Sequence, residues 1–554
     1  MKTLLLGAAL LLTAPALASA QRPDTRFFED LTFDELRDAI RAGARNVIIP
    51  TGGTEDGGDR IVTGRPTDVA TYAAERIARR LGNTFVAPVI PYSPGGVIPL
   101  RAEVFAELLE AAATSVKGSG FKNIFLLGEA AGSQPVLKAV AEKLDATWKA
   151  DGVRVAYVAD YYVAQRRAGP LGAGGSSSVS ELLAINSQRV RIEKLTGDAG
   201  AGSAQQGLAH LNAKVDAAVA QVRSALAEPG KPGPLRPGAS GPAVAAASTF
   251  AKAPADESAA ASSVTGPRVL PTPDPRATSS SGLFIEDLTS AEIRESIAAG
   301  RTVVIVPTGG TEKNGFHMAL GKHNFHVRAG AELMARRLGN ALVAPVLQYV
   351  PEGQATEASP GVLSCARDCF EHVVESIARS VRQLGFADVL LIGDNGGNQT
   401  PLRTVAERLN REWEGSGARA FALTDFYDKG HEYQDVWFLS QFGWDEAVVG
   451  SHAGIKDTSQ LLFVKPQSVR TGRIADSFAN RGESSISGDP TKATAEFGRI
   501  GIEFKANGAM AQYRRLKALL NAGAEAPAHE LRRVQGDPAY ASMKPRPTAH
   551  MTIE

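Results

Sequence analysis

Cysteine is almost missing from this chain: Cys365 and Cys369 are the only two in 554 residues. A protein of this length therefore does not rest on a disulfide framework. The i,i+4 spacing allows one strained bridge in an oxidising compartment, and two free, half-buried thiols are the other reading. An excess of one charge is missing too. Lys and Arg number 60 against 59 Asp and Glu, with no basic tract, so nucleic acid is not an expected partner. Beyond residue 20 no segment is long and apolar enough to span a bilayer. Histidine is scarce and one-sided: of nine in the chain, only His210 lies between residues 26 and 227.

The N-terminus reads MKTLLLGAALLLTAPALASA, one Lys followed by an apolar run and Ala18-Ser19-Ala20. That is the pattern of a secretory signal peptide over residues 1–20. A retained anchor is the rival, and the run is short for one. The expectation is a soluble, exported protein, periplasmic or secreted, with no membrane association after cleavage.

The chain repeats itself. Residues 27–55, FFEDLTFDELRDAIRAGARNVIIPTGGTE, return at 284–312 as FIEDLTSAEIRESIAAGRTVVIVPTGGTE, an offset of 257. The similarity resumes at offset 265 (Leu127-Gly128-Glu129 against Ile392-Gly393-Asp394), 279 (Ser180-Glu181-Leu182-Leu183 against Ser459-Gln460-Leu461-Leu462) and 291 (Gly207 against Gly498). Internal repeats are settled first because they set the architecture. The copies span 26–227 and 283–522. Between them, 228–282 is rich in Pro, Ala, Ser and Gly and buries too little to order itself, which reads as a flexible linker. Residues 523–554 read as a C-terminal tail.

Within each copy, Asn46 to Pro50 and Val303 to Pro307 are apolar runs ending in Pro-Thr-Gly-Gly, the pattern of buried strands that stop at a turn. In the second copy Ala331 to Leu338 and Phe370 to Leu384 read as helices. Ala341 to Val346 and Val389 to Gly393 read as strands. Alternating strands and helices give an α/β fold with a parallel or mixed sheet covered on both faces, and ligands bind beyond the carboxyl ends of such strands.

Three polar clusters fall at those ends in the second copy. The first is Glu312-Lys313-Asn314-Gly315-Phe316-His317 with Lys322, His323 and His326, read as a loop of carboxylate and imidazole ligands suited to zinc or manganese. His317 either faces substrate or only bonds the loop. The second is Gly393-Asp394-Asn395-Gly396-Gly397-Asn398-Gln399, whose glycines let backbone approach a ligand. It offers Asp394 and Asn395 as oxygen ligands and Asn398 toward substrate. The third runs from Gly450 to Ser459. His452 is a candidate general acid/base, and Asp457 either shares that role or caps a helix. Aromatic residues Tyr349, Tyr433, Trp437, Phe438, Phe442 and Trp444 line either a pocket or an oligomer interface.

Taken in order over roughly 240 residues, the PTGGTE-x-N-G-x-H strand end, the Ser359-Pro360-Gly361-Val362 segment, the G-D-N-G-G-N loop and the S-H-A-G-x-x-D-T-S loop resemble the creatininase (creatinine amidohydrolase) family. The resemblance implies two three-layer α/β/α domains, each with a mostly parallel central sheet, and an oligomer. It also implies a pair of divalent ions that activate water against a small, often cyclic, amide. By that resemblance Glu312 is the first ligand. Asn314 stands where the family has His, His323 where it has the bridging Asp, Asn395 where it has His, and Gly397 where creatininase has Glu. His452 matches the catalytic His, and Asp457 replaces a Glu. The expected ligands are Glu312, His323, Asp394, Asn314 and Asn395, holding zinc or manganese, as one ion rather than two. In the first copy Gly57, Arg60, Pro66, Ala130, Ala173 and Ser178 replace Asn314, His317, His323, Asn395, His452 and Asp457, which reads as a catalytically dead copy forming a built-in pseudo-dimer.

The leading expectation is therefore an exported, metal-dependent hydrolase of a C–N bond in a small amide, with His452 and Asp457 catalytic in the second copy. Opening of a sugar-derived ring is a variant of it. The alternative is a catalytically inactive tandem protein that binds or scaffolds.

Overall fold

The computed structural model describes residues 23–167, 175–227 and 282–521. The expected signal peptide and tail, and the linker except Gly282, lie outside them, as does Ala173. Each repeat forms a four-stranded, all-parallel sheet. In the first lobe β1 (Asn46–Thr51), β2 (Thr84–Val86), β3 (Asn123–Gly128) and β4 (Arg154–Tyr157) lie in the order β2-β1-β3-β4. In the second, β5 (Val303–Thr308), β6 (Ala341–Val343), β7 (Asp388–Gly393) and β8 (Arg419–Ala422) lie in the order β6-β5-β7-β8. The registers agree: Asn46 opposes Asn123 in one lobe, and Val303 opposes Asp388 in the other.

The strand sequences explain the layers. β5 is buried throughout, as a parallel strand covered on both faces must be. Val303 and Ile305 point into the core beneath helices Lys322–Leu338 and Ala495–Asn521. Val304 and Val306 point the other way, toward helices Arg367–Gln383 and Gly396–Glu412. That second core does not stop at the lobe boundary. It runs on through Leu36, Phe105, Leu108 and Leu109 of the first lobe, so the two repeats share one apolar interior.

The lobes meet reciprocally. Tyr92 donates to the Pro345 carbonyl, and Tyr349, 257 residues later, donates to the Pro88 carbonyl. Thr63 N bonds Leu288 O and Leu320 N bonds Leu31 O, both at 2.8 Å. Arg191 pairs with Glu292 at 2.6 Å, and Arg470 with Glu35 at 2.8 Å. Such exchange of equivalent contacts is the signature of a two-fold interface, here built within one chain. Cys365 and Cys369 are joined in a disulfide at the start of helix Arg367–Gln383.

Candidate functional site

Strand order in the second lobe reverses between β5 and β7, and the polar cluster sits at their carboxyl ends, where such sheets open a crevice. Thr308 Oγ1 ties the strand ends together through the Ile392 carbonyl at 2.9 Å. The chain then runs through Gly309, where a Cβ would stand 2.2 Å from the Asn324 side chain, so no larger residue fits. That close passage presses the Thr311–Gly321 segment onto the helix beginning at Lys322. Lys322, His323 and His326 are therefore not loop residues, as expected from sequence, but belong to the first turns of helix Lys322–Leu338, facing inward.

Three carboxylates converge there on three cationic side chains. Lys322 Nζ, fully buried, lies 2.6 Å from Asp457 Oδ2 and 3.2 Å from Glu312 Oε1. His323 bridges two acids, Nε2 to Glu312 Oε1 and Nδ1 to Asp394 Oδ2, each at 2.8 Å. Lys505, from the last long helix, reaches Asp394 Oδ1 at 2.6 Å. Burial raises the Glu312, Asp394 and Asp457 carboxyls, but the adjacent cations outweigh it and hold all three below the usual range. Burial and the Lys322 charge oppose protonation of His323, yet its hydrogen bonds to Asp394 and Glu312 carry it to about 9. His326 lies 3.3 Å from Asp394. Nδ1 is the atom that faces that carboxylate, Nε2 has no hydrogen-bond partner, and burial lowers the ring to about 4.

The cluster opens to solvent on one side. Glu312 and His452 are 18% and 33% exposed in their side chains. His452 Nδ1 stands 3.5 Å from Glu312 Oε1, and its Nε2 donates to the Lys313 carbonyl at 2.9 Å. The Lys322 charge, with burial, lowers the His452 pKa, so the ring is neutral. Glu352 and Asn395 join them at the mouth: Asn395 Nδ2 donates to Glu352 Oε1 at 2.6 Å. Burial and the Glu312 charge push the Glu352 carboxyl above the usual carboxylate range.

Several expected site residues serve the fold instead. His317 is fully buried between Thr458 and Ser477, and burial lowers it to about 3. Asn398 donates to the Thr308 and Gly309 carbonyls. Asn314 turns its amide nitrogen to the carbonyls of Glu312, Ala319 and Leu320. Asn395 caps helix Gly396–Glu412. Asp457 accepts from Ala453 N at 2.9 Å as well as from Lys322; the helix N-cap is Gly454. Asp428 to Trp444 is mostly helix rather than loop, and Trp437, Phe438, Phe442 and Trp444 pack edge-on or tilted around Phe497 in a cluster of their own. Tyr349 belongs to the lobe interface. Lys505 and Glu352 join this cluster without having been singled out in the sequence, and Lys322 was named there only beside the imidazoles.

The first lobe holds a buried polar cluster of its own at the equivalent place. Arg65 joins Glu55 at 2.6 Å, Glu129 at 3.1 Å and Glu181 at 2.9 Å. Lys214, fully buried, joins Glu129 and Glu181 at 2.8 and 3.2 Å. Tyr161 donates to Glu129.

Among the described residues His323, His326 and Asp394 form a candidate metal site, with ligand atoms within 4.8 Å of one another. A two-ion site of the expected kind does not fit. His323 has both ring nitrogens committed to carboxylates, and Lys322 lies between Glu312 and Asp457, two acids that would face an ion; of the Asn314 amide, Oδ1 alone is left without a partner. At Gly397 a Cβ would come within 2.3 Å of the Pro351 carbonyl, so no carboxylate can be carried there.

A family model described as creatinine amidohydrolase (creatininase) matches residues 29–233 and 286–512. Creatinine amidohydrolase of Pseudomonas putida is 27% identical over 206 residues, covering 36% of this chain and 77% of that protein. The 3-dehydro-scyllo-inosose hydrolase of Thermotoga maritima is 29% identical over 114 residues, covering 19% and 36%. Zinc–zinc and manganese forms of creatininase align at 23% identity with a TM-score of 0.35, over 42% of this chain and 98% of theirs.

Proposed function

The chain belongs to the creatininase family, twice over, and from that premise we propose that its second lobe binds a small amide-bearing molecule without the family's two-metal hydrolysis. The observation that carries this is the contrast between mouth and floor. The mouth keeps groups that recognise an amide. Ionised Glu312 accepts an N–H, Glu352 in its protonated form donates to a carbonyl, and the neutral His452 ring closes the side. The floor, where water-activating ions belong, is occupied by Lys322 and His323. The first lobe supports the second through the shared core. Export to the periplasm or beyond, from the N-terminal pattern, and a small-molecule partner complete the proposal.

A second reading has its own support. His326 sets Nδ1 3.3 Å from Asp394 and leaves Nε2 without a hydrogen-bond partner, and a buried polar atom without a partner is costly. One zinc or manganese ion there, held also by His323, would supply Lewis-acid chemistry. His452 would then move the proton in cleavage of a C–N bond or of a sugar-derived ring.

Calorimetric titration of the full mature chain with creatinine, creatine and simple lactams, with product analysis by chromatography, separates the readings. Saturable binding without turnover, weakened at least tenfold by Glu352→Ala, is expected. Turnover abolished by Glu312→Gln or His326→Ala overturns the binding reading in favour of the hydrolase.

A further inference from the structure

The cations in the two lobes come from the same places. Arg65 corresponds to Lys322 at offset 257, and Lys214 to Lys505 at offset 291. The packing verifies the second alignment. At Gly207 a Cβ would meet the Ser180 carbonyl at 1.8 Å, and at Gly498 it would meet the equivalent Ser459 carbonyl at 1.9 Å. The long helices carrying Lys214 and Lys505 are thus seated alike. The acids correspond as well: Glu55 with Glu312, and Glu129 with Asp394 at offset 265. The third acid differs, since Glu181 aligns with Gln460, and Asp457 supplies the charge in the second lobe.

We infer that in both lobes these paired side chains, Arg65 with Lys214 and Lys322 with Lys505, take the place of the family's metal ions, so that each polar centre is complete without metal. In the second lobe three acids, Glu312, Asp394 and Asp457, meet Lys322, Lys505 and the twice-bonded His323 within direct contact. A dication added to this set must first displace an ammonium that already has its hydrogen bonds. In the first lobe one guanidinium reaches three acids and one ammonium reaches two. Lys214, Glu129 and Arg65 are all buried, and buried charges persist only when paired or ligating. The two lobes have kept one solution although most of their polar residues differ. For the second lobe the inference deepens the proposed function and rests on it only for the identity of the ligand.

The test reads metal rather than ligand. The full mature chain, stripped with chelator, is titrated calorimetrically with zinc and with manganese, and its melting midpoint is followed with each ion. Wild type is expected to take up neither and to show no shift. Lys322→Ala, which leaves Glu312 and Asp457 facing a vacant cation position, is expected to bind one equivalent of zinc and melt higher with it. Lys322→Arg keeps the charge and is expected to behave as wild type. Uptake of an equivalent by wild type overturns the inference, as does a folded Lys322→Ala chain that takes up none. Should Lys322→Ala fail to fold, wild type and Lys322→Arg decide it. Loss of ligand binding with the metal result intact would count against the proposed function alone.

Discussion

If His323 is an imidazolium clamped between Glu312 and Asp394, alkali should weaken this protein in a particular window. The folded-state pKa of about 9 lies above the ordinary 6.5. A raised value means that the stabilisation is fully present below 6.5 and is lost as pH rises through 9. The full difference corresponds to about 3 kcal/mol, and between pH 7.5 and 9.5 roughly 2 kcal/mol of it disappears. Asp287, raised to about 7 by burial against the Arg189 charge, and Asp425, raised to about 6 by burial, have titrated before this window opens. Glu312, Asp394 and Asp457 stay ionised throughout it. Chemical denaturation, followed by tryptophan fluorescence and far-UV circular dichroism, reads the slope and shows whether the transitions coincide. His323→Gln should flatten the slope. A metal ligand behaves oppositely, because deprotonation favours the ion and stability rises with pH. A flat or rising wild-type profile across this window would refute the reasoning.

Four other outcomes follow from the same contacts. Lys214→Met in the first lobe leaves Arg65, among the described residues, as the one cation for the buried Glu129 and Glu181 and should cost about 3–5 kcal/mol in denaturation. Phe33→Ala removes a ring that stacks on Phe316 at 5.5 Å across the lobes. It should cost about 3–5 kcal/mol and weaken ligand binding, since Phe316 belongs to the Glu312 loop. Reduction of Cys365–Cys369 opens a very short loop and should cost no more than about 2 kcal/mol, with far-UV circular dichroism unchanged. Residues 282–521 expressed alone should aggregate, because the core they share with the first lobe would lie exposed; a soluble, stable fragment counts against the shared interior.

The fold was legible where periodicity and repetition spoke together. Val303 to Pro307 and Val389 to Gly393 read as buried strands because β-branched and aliphatic runs stop at glycine turns, and both are central strands. The reciprocity of the lobes followed from the 257-residue offset, though not the fused core, since no local pattern shows which helix faces meet. The site was legible in part. Glu312, His323 and Asp394 do come together, because carboxylate and imidazole at strand ends is a local signal. Lys322 stood in the same segment and was given no role of its own because lysine is ordinarily solvated; only a third dimension shows it facing inward. Lys505 lies 111 residues from its partner, and its signal was the alignment with Lys214. The same comparison would have shown Arg65 and Glu129 in the first repeat, where attention to lost histidines hid retained charge. His317, held by two hydroxyls, and Asn398, bonding backbone carbonyls, misled because a buried polar side chain satisfied within the fold looks, in sequence, like one awaiting a ligand.

The most direct test of the central claim is an anomalous-scattering map from crystals of the mature chain grown in excess zinc, collected at the zinc absorption edge. The account predicts no anomalous peak among Glu312, Asp394 and Asp457, with electron density for the Lys322 ammonium bridging Glu312 and Asp457. A strong peak within ligand distance of His323, His326 and Asp394, with Lys322 or Lys505 swung aside, would contradict it.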